Sequence, residues 1–173
     1  MRPRHVLSAL APIAISLALQ VPAIAADYNA TVVSVPDGDS INVLHGTQKE
    51  RIILFGIDCP EVGQEYGQEA RNFTDKSCYK KIVGISVSGT DAKGRVIAVV
   101  NLPDGTNLNQ ELVKQGLAWW SDKYAPNDTA LKQLHDAAKA GRVGLWSSAN
   151  KPIAPWLFRN GQKNVNAQIK PSN

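Results

Sequence analysis

The chain has 173 residues, 43% of them hydrophobic, with 19 Lys+Arg against 15 Asp+Glu and a formal charge of +4. That balance is too weak to mark a polyanion binder by charge alone, so any such site must come from local clustering. Two cysteines and three histidines, without a Cys-x-x-Cys pair, argue against a zinc centre and leave oxygen ligands for any metal.

Met1–His5 carries Arg2 and Arg4, the run Val6–Val21 is apolar and uncharged, and Ala23-Ile24-Ala25 offers small residues at a cleavage site. This predicts a secretory signal peptide over residues 1–26 rather than a spanning helix, for which the run is short. The mature chain would begin near Asp27 and be soluble, periplasmic or secreted, with no membrane contact. Losing Arg2 and Arg4 leaves 17 basic residues against 15 acidic ones, a net charge of +2. In an oxidising compartment the even pair Cys59 and Cys78 favours a disulfide. It would close a loop of about twenty residues and contribute roughly 3 kcal/mol. Two free thiols are the alternative.

Residues 27–147 fit one domain, and a Ser/Asn/Pro/Lys/Gln-rich extension over 148–173 follows. Within the domain, Ala30–Val35 is a β-branched strand and Pro36–Asp39 a turn. Ser40–Leu44 alternates as a half-buried strand, His45–Gln48 turns again, and Arg51–Phe55 is a third strand. Short turns make these three an antiparallel meander. Helical spacing then takes over in Tyr66–Cys78. Ile82–Val87 and Val96–Asn101 read as strands joined by the turn Gly89–Gly94. Leu108–Leu117 marks a second helix, and Asp128 caps a third that runs to Ala140 and stops at Gly141. Five short strands with interspersed helices predict an α+β, mainly β fold: a five-stranded barrel of the oligonucleotide/oligosaccharide-binding (OB) type with three packed helices. A two-layer α+β sandwich is the alternative.

Four pieces, in this order and spacing, resemble the staphylococcal-nuclease-like (thermonuclease) family: Asp37–Ser40, Gly56–Glu61, Tyr66–Ala70 and Asp91–Arg95. Leu112–Ala118, Lys123–Asn127, Gly144–Trp146 and Pro155–Arg159 agree with it. The resemblance implies the OB-type barrel and calcium-dependent hydrolysis of DNA and RNA by a monomer. Carried over by motif, Asp39 and Asp58 bind Ca²⁺ with the backbone carbonyl of Cys59. Glu61 is the general base, Arg95 grips the scissile phosphate, and Tyr124 and Lys93 contact substrate. Asp37 is read as a turn residue. Hard oxygen donors suit Ca²⁺, and a planar guanidinium suits phosphate.

One position departs from the family. An arginine is expected five residues before Asp58, where Ile53 stands. Losing one such donor typically lowers the rate by roughly 10²–10³. Arg51, two residues earlier on the same strand face, is the expected partial substitute. Asp122 also puts an acid where an aromatic is usual. The alternative to a nuclease is therefore an OB-fold module that binds nucleic acid without cutting it.

Overall fold

A computed structural model describes residues 27–161, so the leader 1–26 and the tail 162–173 lie outside the described residues. Strands β1 (Tyr28–Asp37), β2 (Ser40–His45) and β3 (Gln48–Leu54) form the predicted antiparallel meander. The β2–β3 turn is tighter than expected. Only Gly46 and Thr47 leave the ladder, so β3 begins at Gln48. After the short strand β4 (Ile57–Asp58) come helix α1 (Gly67–Cys78), β5 (Ile82–Thr90) and β6 (Val96–Asn101). Helix α2 (Leu108–Lys114), strand β7 (Trp119–Trp120), helix α3 (Thr129–Ala140) and a 3-10 turn at Gly144–Ser147 follow. A last described helix, α4, spans 155–161.

The barrel closes in the order β1-β2-β3-β6-β5, with β5 returning to β1. One contact is parallel: β3 lies beside β6 with Ile52 opposite Val96 and Ile53 opposite Ile97. Period-2 alternation sends Val32, Ile41, Val43, Ile52, Leu54 and Ile85 into the interior, all fully buried. The same alternation puts Arg51 and Ile53 on the outer face.

Outside the barrel, β4 and β7 pair as a two-residue antiparallel ladder, Ile57 opposite Trp120 and Asp58 opposite Trp119. Nothing periodic announces so short an element. The ladder ties the chain that leaves β3 to the segment between α2 and α3. Asn109 locks the same corner: its amide oxygen accepts from Val100 N–H, and its amide nitrogen donates to the carbonyls of Phe55 and Ala98. Helix α3 starts where predicted, with the Asp128 carboxylate accepting from Leu131 N–H. Its end differs. Gly141 keeps right-handed backbone angles, and Arg142 at φ 51° makes the reversal.

His135 of α3 is buried against Trp119, Trp120 and Trp146. Burial pushes its pKa below the ordinary histidine range, with Lys139 and Lys132 adding to the effect against Asp136. The folded state therefore holds fewer protons than the unfolded chain between the two pKa values, so stability falls as pH drops through and below about 6.5. Thermal melts from pH 7 to pH 5 should show that loss, at no more than about 1.4 kcal/mol per pH unit for one proton, and His135→Phe should flatten it. Asn109→Ala, which leaves buried backbone groups unpaired, should lower stability by about 2–4 kcal/mol in urea unfolding.

Candidate active site

The β1–β2 turn carries Asp37 and Asp39, and helix α1 holds it in place. Thr74 Oγ1 donates to the Gly38 carbonyl at 2.6 Å. Gly38 is in such close contact that an added Cβ would lie 2.7 Å from Ala70 Cβ and 2.9 Å from Cys59 Cβ and Sγ. Only glycine lets the helix, the turn and the chain after β4 meet at that point. Across the contact, Asp39 Oδ2 accepts from Cys59 N–H at 2.8 Å. That bond brings the β1–β2 turn and the Asp58–Glu61 corner to one end of the barrel.

The predicted disulfide is not formed: Cys59 and Cys78 are both buried free thiols. Cys59 packs at the level of Ala70, whereas Cys78 lies eight residues further along α1, about 12 Å at 1.5 Å per residue. A bridge needs Cα atoms within about 7 Å. Cys78 Sγ instead donates to the Thr74 carbonyl at 3.0 Å. Burial pushes the Cys78 thiol up to about 12, and burial with the nearby Asp39, Asp58, Asp37 and Glu61 raises Cys59 well above its usual value. Helix α1 is pinned to the turn by Thr74 and the close contact at Gly38 instead.

Glu61 sits on a loop with its own fastenings. Its N–H donates to Gln64 Oε1, and its carbonyl accepts from Gln64 N–H. Gly67 opens α1 directly beneath it, where a Cβ would lie 1.8 Å from the Glu61 carbonyl oxygen. The loop also holds the segment after the 3-10 turn. Gln64 Nε2 donates to the Ile153 carbonyl, Ser148 Oγ to Glu65 Oε2, and Tyr66 OH pairs with Ser147 Oγ.

The carboxylates oppose one another. Asp39 is held well above the usual carboxylate range by burial first, then by Asp37 and Asp58, against the pull of the Cys59 N–H. Asp58 is raised by burial although Arg159 pulls it down. Asp37 Oδ1 is buried without a partner, and Asp37 Oδ2 takes a 3.3 Å contact from Arg51. Arg51 also donates to Ser40 Oγ at 2.8 Å, so it stands at the edge of the acidic group, on the face where it was expected. Arg95 does not join the group. Its Nε is bound to Asp91 Oδ2 at 2.6 Å within the 91–95 turn. Lys93 is exposed on that turn, and Tyr124 is 67% exposed with Lys123 over its ring. Ile53 is half-buried on the outer face, opposite Ser40 and Ile97.

One residue in the site lies in the segment read from sequence as a polar extension. Arg159 of α4 grips Asp58 with both terminal nitrogens, Nη1 to Oδ1 at 3.0 Å and Nη2 to Oδ2 at 2.7 Å, and Nη1 also reaches Glu61 Oε1 at 2.7 Å. Two carboxylates hold its guanidinium firmly in the charged form. The available cue was Pro155 at a helix start with Trp156 and Arg159 one turn apart.

Residues 51–148 match the sequence model described as "Staphylococcal nuclease homologue". The chain belongs to the staphylococcal nuclease family. It is 37% identical over 139 residues to an "Uncharacterized endonuclease" of Escherichia coli, covering 80% of this chain and 90% of that one. It is 35% identical over 161 residues to a "Micrococcal nuclease" of Shigella flexneri, covering 88% and 91%. A "Probable staphylococcal-like nuclease CAN1" of Oryza sativa subsp. japonica is 33% identical over 133 residues, covering 77% of this chain and 39% of that protein.

Nucleases of this family are generally metal-dependent. The donor chemistry here suits a hard cation: buried carboxylates that raise one another's pKa, one orphaned carboxylate oxygen, and a guanidinium drawn in as counter-charge. Among the described residues no three His, Cys, Asp or Glu side chains converge enough to hold an ion unaided. Any ion here would need backbone carbonyl, water or substrate oxygens to complete its coordination shell.

Because the folded pKa of Asp39 lies above its unfolded value, the cost of its charge is absent below the ordinary carboxylate range and grows as pH rises. Asp39→Asn keeps an acceptor for Cys59 N–H and removes that charge. In chelator at pH 7 it should melt above wild type, the gap closing as pH falls into the ordinary carboxylate range. It should also lose any stabilisation by added Ca²⁺, read by calorimetry.

Proposed function

We propose that this chain is an exported, calcium-dependent nuclease that hydrolyses phosphodiester bonds in DNA and RNA. The observation that carries the reading is the convergence of Asp39, Asp58 and Glu61 at one barrel end, in a chain whose family and relatives are nucleases. The leader pattern over residues 1–26 supports export to the periplasm or beyond.

In this reading Asp39, Asp58 and the Cys59 carbonyl would hold the cation, which would offset charge on the phosphate and make water more acidic. Glu61 takes a proton from the attacking water as its oxygen bonds to phosphorus. The bond from phosphorus to the leaving sugar oxygen breaks, and that oxygen is protonated from solvent. Gln64 and Gly67 hold the backbone that aims the base. Arg51 stands at the edge of the acidic group and can meet a phosphate there. Arg95 contributes after leaving Asp91, an exchange of one anion for another at an exposed turn. Tyr124 offers an accessible face on which a base can stack.

A second reading, a barrel that binds nucleic acid without cutting it, is favoured by two observations: Ile53 stands in place of an arginine, and Arg95 is tied to Asp91. Digestion of single-stranded DNA and RNA separates the two. The nuclease reading expects cleavage with Ca²⁺, none with chelator, and a loss of roughly 10²–10⁴ in rate for Glu61→Gln. Retained binding with no cleavage by the wild type would establish the second reading instead.

A further inference from the structure

Ile53 leaves the site one phosphate-gripping arginine short, and the structure brings a different one to it. We infer that Arg159 is the second phosphate-binding guanidinium of the reaction, delivered by the C-terminal helix. The inference rests on the nuclease reading above and names a residue for it.

Three observations support it. First, Arg159 contacts the reacting groups themselves: both oxygens of Asp58 and one of Glu61, at 2.7–3.0 Å. A phosphate held next to Asp58 and Glu61 would lie within reach of the same guanidinium. Second, the arginine is positioned by built structure. Trp156, one helical turn before Arg159, packs edge-on against Trp119 with ring centroids 5.6 Å apart. Trp119 is the cross-strand partner of Asp58. The anchor and the charge therefore land on two members of one β-pair, while Gln64 and Glu65 hold the preceding segment through Ile153 and Ser148. Third, the geometry is a planar two-nitrogen fork on a two-oxygen anion, the arrangement that also fits two phosphate oxygens.

The guanidinium compensates the charges of Asp58 and Glu61. A cation held at Asp58 would take over that compensation and leave the Arg159 fork free for a phosphate. Removing the arginine should thus affect cation binding and catalysis in opposite directions.

The test compares wild type, Arg159→Ala and Arg159→Lys on a single-stranded DNA oligonucleotide, with Ca²⁺ affinity measured by calorimetry in the absence of DNA. Arg159→Ala should lower kcat by roughly 10²–10³ and should bind Ca²⁺ at least as tightly as wild type, having lost a competitor. Arg159→Lys, with the charge but not the fork, should fall between, and added guanidinium ion should restore part of the Arg159→Ala rate. Arg159→Ala cleaving as fast as wild type, or faster, would overturn the inference and make the residue only a plug. A parallel loss of Ca²⁺ affinity without rescue would overturn it in favour of a structural role. Both outcomes are read against a wild type that cleaves. A wild type that does not cleave sinks the nuclease reading itself.

Discussion

One hydrogen bond, from Cys59 N–H to Asp39, determines where the chemistry can happen. It joins the β1–β2 turn to the chain leaving β4 and so presses acids from two distant stretches together. Burial first, and then repulsion by the neighbouring acids, raise the pKa of Asp39 and Asp58, so a positive partner stabilises the arrangement. The surrounding fold resists that repulsion: Thr74 holds Gly38 from one side, and the Asp58–Trp119 pairing holds the corner from the other. A site under electrostatic load has to be built on rigid elements, and the closed barrel with α1 across its end supplies them.

The barrel was legible in the sequence because its information is local. Alternating Val and Ile residues, Asp-Gly turns and the Asp128 cap each act over a few residues, and the helices and strands fall close to where those cues put them. That Asp39, Asp58 and Glu61 meet at one barrel end was legible through motifs attached to those elements. The β4–β7 ladder was not, since two residues carry no period. The disulfide expectation failed for a related reason: two cysteines and a compartment say nothing of the distance along a helix that separates them. Arg159 was legible only as the end of the family-like piece Pro155–Arg159; its place in the site was not, because its partner Asp58 lies 101 residues away in sequence. Composition around it reads as polar extension, and only the packing of Trp156 against Trp119 reveals a docked helix.

The C-terminal segment changes how the domain is to be delimited. The family match ends at residue 148, yet the hydrogen bonds from Ser148, Ile153 and Arg159 all run back to the loop and corner that carry Glu61 and Asp58. Chemically the site is closed by residues that lie after the matched region. A truncation guided by the match alone would remove a charge from the centre of the acidic group and leave Asp58 and Glu61 facing each other uncompensated.

The two sealed thiols have a consequence for handling and for the life of the chain. Each is buried and held mainly in its protonated form, so neither reacts while the fold is shut. Cys59 lies at the junction of turn, helix and strand, and Cys78 at the far end of the same helix, so modification of either requires that packing to open. The rate at which a thiol reagent titrates them is therefore a clock for opening of the barrel end, built in without any label. An oxidant meets the same barrier: with both sulfurs enclosed, it reaches them only through that opening.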